Sequence, residues 1–207
     1  KKYPPHNNEH IREYQNFIEL ADLNQLNFGE KKSLIKLIPL IAPNWKYNKF
    51  DNKLIGIYRK YGIDSIELEK EIRIWDNGLN KQLVDSFSLA LKRDQAEGRR
   101  NKITRALNDK INENLIVWTF DKFGYPSQQK IGLWGNNGTF LNMLVLFNHA
   151  ADASQFEYIK HKLFEYVKNG ECPPKVYAEL IDKRQGMMGD KSLYGELNFS
   201  EEPLDTI

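Results

Sequence analysis

The chain has 207 residues, of which 41% are hydrophobic and 12% aromatic, so it carries enough apolar surface for a folded core. Thirty basic and 28 acidic residues are interspersed and leave a net charge of +2, which argues against a dedicated nucleic-acid binder because such proteins need a basic face. The single Cys172 excludes an internal disulfide framework and a CxxC motif, and no apolar run reaches the roughly 20 residues of a membrane span.

Apolar residues at helical spacing predict helices throughout the first third of the chain. A first amphipathic helix is predicted over residues 11–21, and a second apolar run, from 34 to 41, is interrupted by Pro39. A further apolar stripe ends at Gly62, which stands where a left-handed helix cap is expected. Ser65 is predicted to be the N-cap of the short helix that follows.

The middle of the chain predicts the longest helices. The segment from residue 79 to about 105 is the longest candidate, with Gly98 as a point at which it bends or breaks, and the helical pattern then continues to Gly124. Thr139 is predicted to cap an apolar helix over residues 140–150. Because that helix is apolar almost all round, it should lie in the middle of the fold.

Two more helices are predicted near the C-terminus. One covers residues 156–167, and Pro173-Pro174 opens the other. After Arg184 the Gly-Met-Met-Gly segment is predicted to be a loop, followed by a short extended piece over 193–199. No long stretch alternates at period two, so the predicted fold class is mainly α, a compact multi-helix domain with little or no β.

Three regions are predicted: an N-terminal helical extension (1–78) packed on a main helical domain (79–200), and a frayed tail (201–207). No linker rich in Gly, Ser or Pro divides the first two, which favours a single packed unit. The chain begins at Lys1 without a methionine, so both a cytoplasmic location and export after removal of an N-terminal segment stay open.

The first candidate for chemistry is the pair Asp94 and Gln95. They continue an apolar helical stripe, so the helical period directs a carboxylate and an amide towards the core or a cleft beside it. The functional interpretation is a general base, a metal ligand or a substrate anchor. In that interpretation Arg99 or Arg100, about one turn later, balances the charge of Asp94; the structural alternatives are a buried ion pair and the solvated end of the stripe.

The second candidate is His149, late in the apolar helix and beside Asn148 and Asp152. Histidine suits proton transfer near neutral pH and metal binding, and Asp152 is expected to orient it or to share a ligand with it. The structural alternative is a buried histidine that bonds a backbone carbonyl. No metal site or cofactor is assigned, because histidine pairs such as His161 with Glu157 lack a third ligand at a recognisable spacing. Serine-hydrolase, Walker and HExxH signatures are absent from the sequence.

Several short motifs form a pattern in order. They are Asp94-Gln95, a stretch over 112–126 ending in Phe-Gly-Tyr-Pro, Asn148-His149-Ala150, Gly170-Glu171, the segment 177–182, and Tyr194-Gly195. Together they resemble the uncharacterised bacterial family catalogued as domain of unknown function 6624, over about residues 86–197. The family has no assigned activity, so the resemblance implies none.

The resemblance implies one shared site, lined by Asp94, Gln95, His149, Asp182 and Tyr194. The chain departs from the family pattern in three motifs. Asn148 stands in place of a Gln, Lys183 in place of an Arg, and Glu196-Leu197 in place of Thr-Gln. These changes bear on the identity of the ligand.

Two functions are therefore proposed at the level of sequence. The first is a small-molecule or peptide pocket of hydrolytic type, in which His149 is the acid/base group and Asp94 orients or balances it. The substrate-binding residues would then be Gln95, Asp182, Lys183 and Tyr194. The alternative is a non-catalytic module that docks a protein partner. The sequence does not decide whether the protein is an enzyme.

Overall fold

The computed structural model describes residues 11–26, 31–45 and 52–197, apart from the side chains of residues 11–15, 52 and 99. Within these ranges the chain is helical and has no sheet; an isolated antiparallel bridge joins Trp134 to Phe140. The mainly α fold class is thereby confirmed. The α-helices are α1 (Ile11–Leu23), α2 (Lys31–Ile35), α3 (Ile38–Ile41), α4 (Asn52–Lys60), α5 (Ser65–Asn77), α6 (Lys81–Asp94), α7 (Lys102–Phe123), α8 (Gln128–Ile131), α9 (Met143–His149), α10 (Phe156–Lys168) and α11 (Pro174–Met188).

Helices α1 to α5 surround a first hydrophobic cluster. Its fully buried members include Leu34, Ile38, Leu54, Tyr58 and Leu68. Gly62 is a left-handed cap as predicted, with φ +77°, and the N–H of Ile63 bonds back to the carbonyl of Tyr58 at 2.9 Å.

The N-cap of α5 differs from the prediction. The carboxylate of Asp64, not the hydroxyl of Ser65, accepts the N–H of Glu67 at 2.8 Å. Ser65 is the first helical residue. Both residue types favour N-caps, so the pattern predicts the position of the cap only to within one residue.

Helices α6 to α11 surround a second, larger cluster, with α9 against its centre. Phe147 of α9 is completely buried. Its ring centroid lies 6.0 Å from the ring centroid of Phe120 and 6.1 Å from that of Tyr125. The helix starts at Met143, later than predicted. Thr139 is no N-cap, because its hydroxyl bonds the carbonyl of Asn136 and the chain then passes through the bridge at Phe140.

The predicted long helix over residues 79–105 is two helices. Helix α6 ends at Asp94, a 3₁₀ turn covers Glu97–Arg100, and α7 begins at Lys102. Asn101 starts α7, since its side-chain oxygen accepts two backbone N–H groups at 2.9 and 3.2 Å. At 22 residues, α7 is the longest described helix.

The Gly-Met-Met-Gly segment is helical, contrary to the prediction of a loop. Helix α11 continues through Gly186 to Met188 and ends at Gly189, which has the left-handed φ of +81°. Residues 190–197 follow as an irregular segment and not as an extended strand, so the prediction for 193–197 is wrong. The predicted frayed tail, 201–207, lies outside the described residues.

The two clusters meet where the end of α5 and the segment before α6 contact α8. The indole N–H of Trp75 donates to the carbonyl of Gln129 at 3.1 Å, and the N–H of Asn80 donates to that of Lys130 at 2.9 Å. A groove of about 380 Å³ lies along this contact, with Trp45, Trp75 and Trp134 in its wall. None of the described helices is long and apolar enough to cross a membrane.

We expect the extension and the main domain to unfold together, because the Trp75 indole of the extension donates to Gln129 of the main domain and residues of both regions line one groove. Limited trypsin digestion followed by mass spectrometry measures this. The expected result is no pair of stable fragments produced by cleavage after Arg73 or Lys81, the basic residues on either side of the boundary. Two folded fragments separable at that point would show that the regions are independent domains.

Candidate functional site

Three side chains, one each from α6, α7 and α9, lie close together. They are Asp94 at the end of α6, Asp109 in α7 and His149 at the end of α9. The imidazole Nε2 of His149 lies 3.4 Å from Oδ1 of Asp94, and a ligand-type atom of each residue lies within 4.8 Å of the others. We call this group the acid–histidine cluster. Asp94 is 1% exposed, whereas the His149 side chain is 37% exposed, so the cluster reaches from the interior to solvent.

Gln95 positions the buried acid. Its side-chain amide donates to Oδ2 of Asp94 at 2.7 Å, while its backbone N–H continues the α6 pattern to the carbonyl of Leu91. The two oxygens of Asp94 therefore have different neighbours, an amide on one side and His149 on the other. Gln95 therefore holds the carboxylate of Asp94 in place through Oδ2.

Hydrogen bonds next to the cluster fix α6 against α7. The Arg93 guanidinium donates to the side-chain oxygen of Asn112 at 2.7 Å, and the Asn108 amide donates to the Arg93 carbonyl at 3.4 Å. Since Asp94 and Asp109 are neighbours of these residues in the chain, the same bonds set the separation of the two acids. Of the arginines predicted to pair with Asp94, Arg100 is exposed, and the side chain of Arg99 lies outside the described residues.

Glu113 lies one turn beyond Asp109 and is buried. Its carboxylate accepts the Ser154 hydroxyl and the Gln155 N–H, each at 2.7 Å, and the Lys110 ammonium at 3.0 Å. Burial alone would raise the pKa of Glu113, but these donors outweigh burial and hold the pKa below its usual value. Glu113 is therefore a charged anchor for the start of α10 and a poor proton acceptor.

A cleft of about 390 Å³ opens beside the cluster, a volume within the range of small-molecule sites. Asp109 and His149 lie in its wall. So do Lys102 and Arg105 from the first turns of α7, which form no ion pair with another described residue. The other residues of the wall are Ala106, Lys110, Glu113, Asp152, Ala153 and Ser154.

Asp152 does not pair with His149 in the way the sequence suggested. Its carboxylate is 75% exposed and lies 3.5 Å from the guanidinium of Arg184 in α11. The same guanidinium donates to the carbonyl of Ala151 at 3.0 Å. Asp94 therefore occupies the position beside His149 that Asp152 was expected to fill.

The other predicted ligand-binding residues do not line the cleft. Asp182 is fully buried, and its carboxylate accepts the N–H groups of Leu193, Tyr194 and Glu196 at 2.7 to 2.8 Å. Lys183 is half-buried, and the exposed ring of Tyr194 packs edge-on against Tyr177. The structure brings Asp94, Gln95 and His149 together, and a role for the other three in ligand binding stays a prediction.

Asp109 is the site residue that the sequence reasoning missed. The buried face of α7 runs from Phe120 and Ile116 back through Glu113, and Asp109 is the next position on that face. This is the same signal that singled out Asp94: an acid where an apolar helical stripe continues. Applied to residues 109–120, it would have identified Asp109.

Comparisons of this chain with protein-family models, with curated proteins and with solved structures find no match. The resemblance to the uncharacterised family therefore stays a prediction. A proposal of function for this chain therefore rests on the geometry of the cleft and its cluster.

Proposed function

We propose that the cleft binds a small anionic molecule and hydrolyses it, with the acid–histidine cluster as the reactive centre. The observation that carries this proposal is the convergence of Asp94, Asp109 and His149 from three helices beside a ligand-sized cleft, with Asp109 and His149 in its wall. Scattered surface acids do not meet in this way around a carboxylate that is 1% exposed. Groups of this kind, beside a cavity, are typical of reactive sites.

The cations of the cleft support an anionic ligand. Lys102 and Arg105 are separated by one helical turn and so project to the same side of α7. They also lie in the first turns of a 22-residue helix, where the helix dipole favours negative charge. The other lysine of the wall, Lys110, is bound to Glu113 and Ser154, so we assign ligand recognition to the first two.

The cluster supports hydrolysis because it presents acceptors to a water molecule in the cleft. The Asp109 carboxylate and the His149 imidazole can orient water for attack on a ligand held by Lys102 and Arg105, and the buried Asp94 orients the imidazole from 3.4 Å. With a phosphate ester, the hydroxyl of the water would join phosphorus, and its remaining proton would pass to the departing alcohol. No other reactant is needed for this balance.

Hydrolysis of p-nitrophenyl phosphate, with p-nitrophenyl acetate as the neutral comparison, tests the proposal. We expect turnover of the phosphate to exceed that of the acetate, and Asp94→Asn to reduce it by about 100-fold or more. The matched control is Asp190→Asn, a change of the same kind at an exposed acid outside the cleft. Circular dichroism checks that both variants are folded. Equal activity in the two variants, or no turnover by the wild-type chain, would contradict the proposal.

A second candidate function has an observation of its own. Ile103, Leu107 and Ile111 follow one another at four-residue spacing on α7 and are 80%, 61% and 41% exposed. An exposed apolar stripe of this kind supports a module that docks a protein partner. Hydrolysis by the isolated chain that depends on Asp94 would count against docking as its main function.

A further inference from the structure

We propose that Asp94, Asp109 and His149 form a binding site for one divalent transition-metal ion, for which Zn²⁺ is the probe of choice. The inference rests on the proposed function in one respect: both place the reactive centre in the acid–histidine cluster. It goes further by naming a cofactor. With the ion bound, His149 is a ligand, not the acid/base group that the sequence suggested.

The donor set fits such an ion. Two carboxylates and one imidazole supply oxygen and nitrogen ligands, and catalytic zinc sites commonly have three protein ligands and one open position. Zinc lies about 2.0–2.2 Å from such ligands, so ligand atoms around it are roughly 3.5 Å apart. The 3.4 Å between Nε2 of His149 and Oδ1 of Asp94 already has this value. Asp109, within 4.8 Å of both, needs to move by only about 1 Å, well within a rotamer adjustment.

The surroundings favour a cation. Two carboxylates within 4.8 Å of each other attract a cation that lies between them. The cluster also lies at the C-terminal end of α6, a helix of 14 residues, where the helix dipole favours positive charge. Both effects favour any cation. The imidazole nitrogen favours a transition-metal ion over Mg²⁺ or Ca²⁺.

Hydrogen bonds to one ligand and between neighbouring helices also hold the ligands in place, as in established metal sites. The Gln95 amide donates to Oδ2 of Asp94 and leaves Oδ1 on the side of His149 and the ion. The Arg93–Asn112 bond fixes α6 against α7, and the Asn148 amide donates to Glu179 at 3.3 Å, which ties α9 to α11. All three helices that supply ligands are therefore held in place.

The open side faces the cleft, because both Asp109 and His149 lie in its wall. A water bound there to zinc would have a pKa of about 7, far below that of bulk water. The anion-binding residues Lys102 and Arg105 lie in the same wall. The inferred ion would thus activate water directly beside the inferred substrate position.

Isothermal titration calorimetry of chelator-treated full-length protein with ZnCl₂ tests the site. We expect one Zn²⁺ per chain and at least about 10-fold weaker binding in Asp109→Asn. The matched control is Asp152→Asn, which removes the same charge from an exposed acid of the cleft wall that pairs with Arg184, and it should bind within about 2-fold of wild type. Asp109 is used because, unlike Asp94, it is only partly buried, and circular dichroism verifies its folding.

A second variant separates positioning from ligation. Gln95→Ala leaves all three ligands in place and should weaken zinc binding by about 10-fold, the usual effect of losing a bond to a ligand. CaCl₂ should give no comparable heat, since Ca²⁺ prefers six to eight oxygen ligands. Equal losses in Asp109→Asn and Asp152→Asn, or zinc binding that is absent or independent of Asp109, would overturn the inference. Zinc binding that depends only on the surface pair His161 and Glu165, whose Nε2 and Oε1 atoms are 3.3 Å apart, would also overturn it.

Failure of the metal inference and failure of the proposed function give different results. Phosphate ester hydrolysis that persists in chelator-treated protein without zinc binding would overturn the metal site and leave the hydrolytic cleft standing. One zinc ion bound through Asp109, without hydrolysis of either ester, would support the site and contradict the hydrolytic function.

Discussion

Phe147→Ala is expected to lower the free energy of unfolding by about 3–5 kcal/mol, the range for large-to-small changes at buried aromatic positions. Phe147 is completely buried in α9 and contacts rings on two sides, Phe120 at 6.0 Å and Tyr125 at 6.1 Å. Its loss leaves a cavity at the centre of the second cluster, with rings from separate elements that cannot all move into it. Urea unfolding followed by circular dichroism measures the change.

Phe164→Ala is the matched control, since it removes the same atoms from a position that is 47% exposed on α10. Its ring centroid lies 5.5 Å from that of Tyr177 and 5.5 Å from the Lys168 ammonium, and nearly half of the residue is open to water, so we expect a loss of about 1 kcal/mol or less. Similar losses in the two variants would show that α9 is not the centre of the core.

Asp182→Ala is expected to lower the free energy of unfolding by about 3 kcal/mol, because three backbone N–H groups lose a buried charged acceptor. These bonds join the irregular segment 190–197 to α11. The variant should therefore also become sensitive to protease within 190–197. Asp190→Ala, at an exposed acid of the same segment, should change stability by no more than about 0.5 kcal/mol.

The effect of Asp182 should depend on pH. Burial alone would raise the pKa of Asp182, but hydrogen bonds from Ser192 and from the backbone of Tyr194, Glu196 and Leu193 hold it below the usual value. A carboxyl with a lowered folded-state pKa stabilises the fold above its unfolded pKa of about 3.9 and loses that contribution as pH falls through the folded value. The stability difference between wild type and Asp182→Ala should be full at pH 6 and shrink below about pH 4. A constant difference across that range would contradict a charged anchor.

Local signals in the sequence predicted the helical fold well, because they depend on nearby residues. Gly62 ends α4 with a positive φ, as a glycine after an apolar stripe should. Glycine predicts the end of a helix less precisely when two glycines lie close together in the sequence. Gly186 lies inside α11 and Gly189 ends it, although the sequence suggested that the helix stops before both. A single helical glycine costs only about 1 kcal/mol, which the packing of a long helix offsets.

The site was only partly predictable, because it depends on how helices pack. Asp94 and His149 were found from their own helical stripes, but their separation of 3.4 Å depends on the placement of α6 against α9. Asp182 entered the predicted site only through the family resemblance, and its buried carboxylate bonds the backbone of residues 193–196 instead. An inward carboxylate in a sequence thus indicates a buried partner, while the kind of partner comes from chain segments distant in sequence.

Helix α7 carries two different surfaces on the same few turns. Asp109 and Glu113 face the cleft, while Ile103, Leu107 and Ile111 face solvent. A backbone helix is stiff over this length, so a force applied to one side is transmitted to the other. Because the Arg93–Asn112 bond ties α6 to α7 while α9 is tied to α11, a macromolecule that pressed on the apolar stripe would shift Asp109 and Asp94 together relative to His149. Docking and chemistry, which the sequence offered as alternatives, would then be mechanically coupled through a single helix.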